Sequence, residues 1–246
     1  MKDIEIILLT ILVLAFSSCT KNEQESGDAL TSNPSHNMGE NESNQSRTLR
    51  YLALGDSYTI GQGVEEELRW PNQLAQRLGA NNYSISEVNI IATTGWTTRD
   101  LLNGIAAEQP EKHELVSLLI GVNNQYQKLP FALFETEFAE LLDMAIELSG
   151  GKQNVFVVSI PDYGVTPFGS GDPVGIGKEI DRYNAHISDK CDELRIPFID
   201  ITGISRELGD AEGALATDKL HPSGSQYTSW TNAILPVVTD LIKKQY

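Results

Sequence analysis

From residue 51 onward, short continuous apolar runs alternate with stretches in which apolar side chains recur every three or four positions. The runs Tyr51–Leu54, Val88–Ala92, Leu115–Ile120, Val155–Ile160 and Pro197–Ile201 read as strands. They are continuously apolar rather than alternating, as strands covered on both faces must be. Between them, Pro71–Leu78, Thr98–Ala107, Phe131–Leu148 and Lys178–Leu194 predict helices, with a last one at Gln226–Lys243. Pro71 suits a first helical turn, where its missing N–H costs nothing. Ile180, Tyr183, Ile187 and Leu194 recur at helical spacing and mark a buried face. Five β-α units in strict alternation predict a single α/β domain over residues 49–246, a parallel sheet with helices on both faces.

Ahead of this body the pattern changes twice. Residues 1–19 carry a short charged start, an apolar run from Ile6 to Phe16, then small residues and Cys19. The run is too short to span a bilayer, which takes about 20 apolar residues, and it fits the apolar core of a signal peptide. Phe16-Ser17-Ser18-Cys19 resembles a bacterial lipobox, with Cys19 the lipidated residue; a buried structural helix is the alternative. Residues 20–48 are rich in Asn, Ser, Glu and Gly and have almost nothing to bury, which predicts a flexible tether. The expected location is therefore outside the cytoplasm, lipid-anchored on the periplasmic face or cell surface.

Charge narrows the partners. A net charge of −16 argues against nucleic acid, whose phosphates need clustered Lys and Arg. It also disfavours close docking on an anionic membrane, leaving the N-terminal lipid as the expected contact. Cys19 and Cys191 are the two cysteines, so with Cys19 lipidated no disulfide supports the fold, and Cys191 reads as a small core residue. The four histidines show no metal-ligand spacing, and neither metal nor cofactor is expected. The sequence carries nothing that sets an oligomeric state.

Ligands of parallel sheets bind beyond the carboxyl ends of the strands. Those ends carry Gly55-Asp56-Ser57, then Gly95, then Gly121 with Asn123 and Asn124, then Asp162; Asp218 and His221 precede the last helix. Singly, each is an ordinary turn or capping residue. Together they supply a serine, a base, a carboxylate and amide donors, the parts of an acyl-transfer site. Of the remaining histidines, His36 falls in the tether, His113 at the amino end of a strand and His186 in mid-helix.

These residues resemble the sequence blocks of the SGNH superfamily of GDSL-type esterases and lipases. Gly55-Asp56-Ser57 resembles the first block, Gly95 the glycine of the second, Gly121-Val122-Asn123-Asn124 the third and Asp218-Lys219-Leu220-His221 the fifth. The resemblance implies a flavodoxin-like strand order 2-1-3-4-5 in a three-layer α/β/α domain. It also implies a catalytic triad of Ser57, His221 and Asp218, with an oxyanion hole formed by the N–H groups of Ser57 and Gly95 and the Asn123 amide. Asn124 stands where the family commonly has Asp, which puts the hydrogen bonding of that carboxylate in question. No Gly-x-Ser-x-Gly elbow is present, which argues against an α/β-hydrolase. Tyr58, Trp96, Tyr126 and Asp162 are candidate substrate contacts, and Asp56 is expected to order the turn around Ser57. The implied substrate is a small ester, a lipid or an acetylated glycan. Short connections without a lid favour short acyl groups, with a lysophospholipase or a non-catalytic glycan-binding module as alternatives.

Overall fold

The computed structural model describes residues 47–244; the predicted signal segment with Cys19, and the tether as far as residue 46, lie outside the described residues. Five strands, β1 (Arg47–Gly55), β2 (Tyr83–Ala92), β3 (Leu115–Leu119), β4 (Val155–Val158) and β5 (Phe198–Ile199), form one parallel sheet in the order β2-β1-β3-β4-β5. This is the 2-1-3-4-5 order. Its consequence for the site is direct, because Gly55 pairs with Ala92 on one side and with Leu119 on the other. The loops that follow β2 and β3 therefore flank Ser57.

The central strands are buried on both faces: Leu52, Ala53 and Leu54 of β1 and every residue of β3 and β4 are inaccessible to solvent or nearly so. Long helices cover the sheet: α2 (Trp70–Ala80), α3 (Thr98–Glu108), α5 (Phe131–Ser149), α6 (Pro173–Leu194) and α8 (Gly224–Lys243). Shorter ones, α1 (Ser57–Ile60), α4 (Val122–Tyr126) and α7 (Thr202–Leu208), sit at strand ends. Trp70, Trp230, Tyr227 and Phe134 are fully buried, and the Tyr51 hydroxyl shares a 2.8 Å hydrogen bond with Ser117 inside the sheet. Cys191 is a buried free thiol, its pKa pushed up to about 12 by burial. Among the described residues no helix is long and apolar enough to cross a membrane.

The differences from the sequence expectations have local causes. Strand β1 begins at Arg47, inside the last two positions assigned to the tether. Strand β2 begins at Tyr83 rather than Val88, because an edge strand keeps Glu87 and neighbouring polar residues toward solvent and so lacks an apolar run. Helix α6 begins five residues before Lys178. Its first turns contain Gly175 and Gly177, poor helix formers, and its start is fixed instead by Asp172, whose carboxylate accepts the Gly175 N–H at 2.9 Å. Helices α1, α4 and α7 are too short to show a period.

Candidate active site

Strand β1 delivers the nucleophile candidate through a tightly packed turn. A Cβ on Gly55 would lie 2.2 Å from the Thr59 hydroxyl and 2.5 Å from the Leu119 carbonyl, so only glycine lets β1 run this close to α1 and β3. Asp56 then caps α1: its Oδ1 accepts the Tyr58 N–H at 3.0 Å, and its carbonyl accepts those of Thr59 and Ile60. A helix start leaves several N–H groups without intrahelical partners. Here Tyr58 N–H is taken by Asp56, whereas the Ser57 N–H and the Ser57 hydroxyl have no acceptor among the described residues. Asp56 is fully buried with no partner on Oδ2, and burial pushes its carboxyl up to about 7. Its position is that of a turn former.

The base and its carboxylate come from one compact turn. Lys219 adopts a left-handed φ of 61°, which folds Asp218-Lys219-Leu220-His221 back on itself. Asp218 Oδ1 accepts the N–H groups of Leu220 and His221, each at 3.0 Å, and Oδ2 faces His221 Nδ1 at 2.7 Å. Partial burial works to raise the Asp218 pKa, but the His221 ring and those two N–H groups outweigh it and hold the carboxyl below its ordinary value. An ionised carboxylate on Nδ1 fixes that nitrogen as the donor and leaves Nε2 as the basic atom. The Tyr58 ring meets the imidazole edge-on at 5.8 Å and is itself packed against Trp230.

Two consecutive asparagines of α4 clamp the loop that carries Gly95. Asn123 Nδ2 donates to the Trp96 carbonyl at 2.9 Å; an amide nitrogen has two hydrogens, so one remains for a ligand. Asn124 is fully buried, with Oδ1 accepting the Thr98 N–H at 3.0 Å and Nδ2 donating to Thr98 Oγ1 at 2.7 Å. Thr98 Oγ1 donates its own hydrogen to Glu137 of α5, whose other oxygen accepts Arg99 Nε at 2.8 Å. Glu137, which sequence reasoning missed, thus places a buried carboxylate in the hydrogen-bond network of Asn124. Its signal was a lone acid beside Phe134, Phe138 and Leu141 on the buried face of a helix. Thr97 and Asp100 complete a capping box at the start of α3, so the whole Gly95–Thr98 turn is held from both ends. Gly95 has φ 87° with nothing within 4 Å of where a Cβ would stand; glycine is required there by conformation, not by space.

Ser57, Gly95, Asn123 and His221 line one cavity of about 130 Å³, with Tyr58, Tyr126, Tyr163 and Phe168 on its walls. Trp96 and Asp162, expected as substrate contacts, do not line it. The Trp96 ring lies over Gly104 of α3, and its carbonyl is what serves the site, through Asn123. Asp162 is 4% exposed and occupied by the Gly164 N–H at 2.8 Å and Arg206 Nε at 2.9 Å, which anchors the Tyr163 turn. Tyr163 and Phe168, on that turn, hold Tyr126 by ring contacts at 6.2 and 5.7 Å. Among the described residues no group of His, Cys, Asp and Glu is arranged to hold a metal ion.

A sequence profile of the GDSL-like lipase/acylhydrolase family matches residues 53–228. Among solved structures the chain is similar to TesA, at 18% identity over 78% of this chain and 99% of that one, with a TM-score of 0.61. It is similar to Axe2, an acetylxylan esterase from Geobacillus stearothermophilus, at 19% identity over 79% and 96% of the two chains, TM-score 0.58. The esterase EstA from Pseudoalteromonas sp., in a structure inhibited by monoethylphosphonate, gives 19% identity over 80% and 97%, TM-score 0.54. At these identities the structural likeness bears on the fold. Among curated proteins none matches the sequence significantly.

Proposed function

The chain belongs to the GDSL-like lipase/acylhydrolase family and is a carboxylic ester hydrolase, and on that premise we propose a serine esterase for short acyl groups acting through Ser57, His221 and Asp218. One observation carries the reading. A serine with an uncommitted N–H, the Gly95 turn, the Asn123 amide and a carboxylate-oriented histidine face one cavity.

In this reading Ser57 Oγ attacks the ester carbonyl while His221 Nε2 takes its proton, since a serine hydroxyl is a weak nucleophile without a base. The oxyanion collects hydrogen bonds from Ser57 N–H, Gly95 N–H and Asn123 Nδ2. The imidazolium formed on His221 is stabilised by Asp218 and returns the proton to the departing alkoxide. Water, deprotonated by the same histidine, then releases the acid. A cavity of about 130 Å³ supports a short acyl chain. That is below the range of about 300–1,000 Å³ typical of sites for drug-sized ligands. Residues 1–19 and Cys19 support export and lipid anchoring, with the catalytic body beyond the tether.

The test is hydrolysis of p-nitrophenyl esters from acetyl to dodecanoyl, with Ser57→Ala as control. The expected outcome is a kcat/KM that falls with chain length and a kcat lowered by about 10,000-fold or more in Ser57→Ala. A rise toward dodecanoyl would favour a lysophospholipase. A protein that a serine-reactive phosphonate fails to label would be a binding module instead.

A further inference from the structure

Beside the small catalytic cavity runs a second groove of about 650 Å³, between the α4–α5 connection and the first turns of α6. That volume lies within the range of about 300–1,000 Å³ typical of ligand sites. The two spaces share Tyr126 and Tyr163, so a molecule whose ester lies at Ser57 leads over Tyr126 into the groove. Tyr126 is 52% exposed yet fixed by its aromatic neighbours, a rigid ring offered to a ligand.

The groove lining decides the ligand. Lys128 and Lys178 have no carboxylate partner among the described residues, while Asp172 and Glu179 stand on the same walls. Arg182 lies 3.8 Å above the Phe131 ring, with Glu179 at 3.9 Å. Leu129, Phe131 and Ile176 give the groove an apolar wall as well, but an acyl chain laid along it would strip water from the ammonium and carboxylate groups and return no hydrogen bonds. A polyanion would meet Asp172 and Glu179. A neutral polyol does neither: each hydroxyl donates to a carboxylate or accepts from an ammonium, and its C–H face packs on Tyr126.

Resting on the esterase reading, we infer that this groove binds a neutral oligosaccharide, the alcohol part of the ester, and presents its acyl group to Ser57. The arrangement assigns the small cavity to the acyl group and the large groove to the sugar chain.

Two arms test it. Ser57→Ala protein is titrated calorimetrically with cellotriose, xylotriose and chitotriose. At least one is expected to bind, and Lys178→Ala/Arg182→Ala, at two exposed positions, is expected to weaken that binding at least tenfold. In the second arm, kcat/KM for the O-acetylated trisaccharide is divided by kcat/KM for p-nitrophenyl acetate; the ratio should drop at least tenfold in the double variant. Binding of none of the three sugars, or a ratio that does not move, overturns the inference. So does a groove variant that loses hydrolysis of lysophosphatidylcholine rather than of the acetylated sugar. Failure of the esterase reading shows separately, as p-nitrophenyl acetate hydrolysis that survives Ser57→Ala, and the titration still decides the groove.

Discussion

Replacing Asn124 by Asp, the residue common in the family, is expected to damage this protein, and replacing Glu137 by Gln as well should repair it. The reason is one hydroxyl proton. Thr98 Oγ1 accepts from Asn124 Nδ2 and donates to Glu137, and all three side chains are buried. In Asn124→Asp two carboxylates flank a hydroxyl that can donate to only one. A lost hydrogen bond and a buried unpaired acceptor together cost about 3 kcal/mol at pH 8. Glu137→Gln alone fails in the opposite sense. Either its amide nitrogen joins Asn124 in donating to Thr98 Oγ1 and leaves the Thr98 hydrogen without an acceptor, or, turned around, it faces the Arg99 guanidinium, at a cost of about 2 kcal/mol. In the double variant the chain of donors reverses. The introduced glutamine amide donates to Thr98, Thr98 donates to the introduced aspartate, and the glutamine oxygen still accepts from Arg99. Urea denaturation should place the double variant within about 1 kcal/mol of the parent, a favourable coupling of about 4 kcal/mol between neighbours. Because Asn124 holds the Thr98 N–H beside Gly95, kcat on p-nitrophenyl acetate should fall about tenfold or more in Asn124→Asp and recover in the double variant. Asn124→Asp should also regain stability at pH 5, where a proton restores the missing donor. A double variant as unstable as the two singles added together would refute the reasoning.

Asn123→Ala should lower kcat about 100- to 1,000-fold, the usual loss for one oxyanion donor, with unfolding unchanged within about 1 kcal/mol; full activity would remove Asn123 from the site. Asp56 bears on pH. With its carboxyl raised to about 7 by burial, the folded chain holds a proton that the unfolded chain releases near pH 4. Its contribution therefore falls as pH rises between about 4 and 7 and is lowest above 7, by an amount on the order of 4 kcal/mol at most. Asp56→Asn should flatten stability between pH 5 and 8, as read by urea denaturation at each pH, and an unaltered slope would contradict the assignment. Cys19→Ala should abolish partitioning of the expressed precursor into detergent; equal membrane association of variant and parent would rule out the lipid anchor.

The apolar runs of β1, β3 and β4 and the periodicity of α2, α3, α5 and α8 were legible because burial on both sheet faces, or on one helix face, imposes its pattern on neighbouring residues. Gly55-Asp56-Ser57 and Asp218-x-x-His221 were legible for a related reason: each is a local turn whose hydrogen bonds close within three residues. Strand order came from the family resemblance, since alternation of elements fits several orders. Only the folded chain brings Ala92, Gly55 and Leu119 side by side, and with them Gly95, Ser57 and Asn123. The roles of Trp96, Asp162 and Glu137 were likewise decided in three dimensions. A tryptophan at a strand end reads as a ligand contact until α3 is seen to take its ring; an aspartate reads as a free acid until Arg206, 44 residues away, claims it. Glu137 lies on the buried face of its helix, but its partner is decided only when the fold brings Thr98, 39 residues distant, to donate to it. Local sequence fixes what closes locally; a buried polar group's partner depends on which distant donor the packing brings within hydrogen-bond reach.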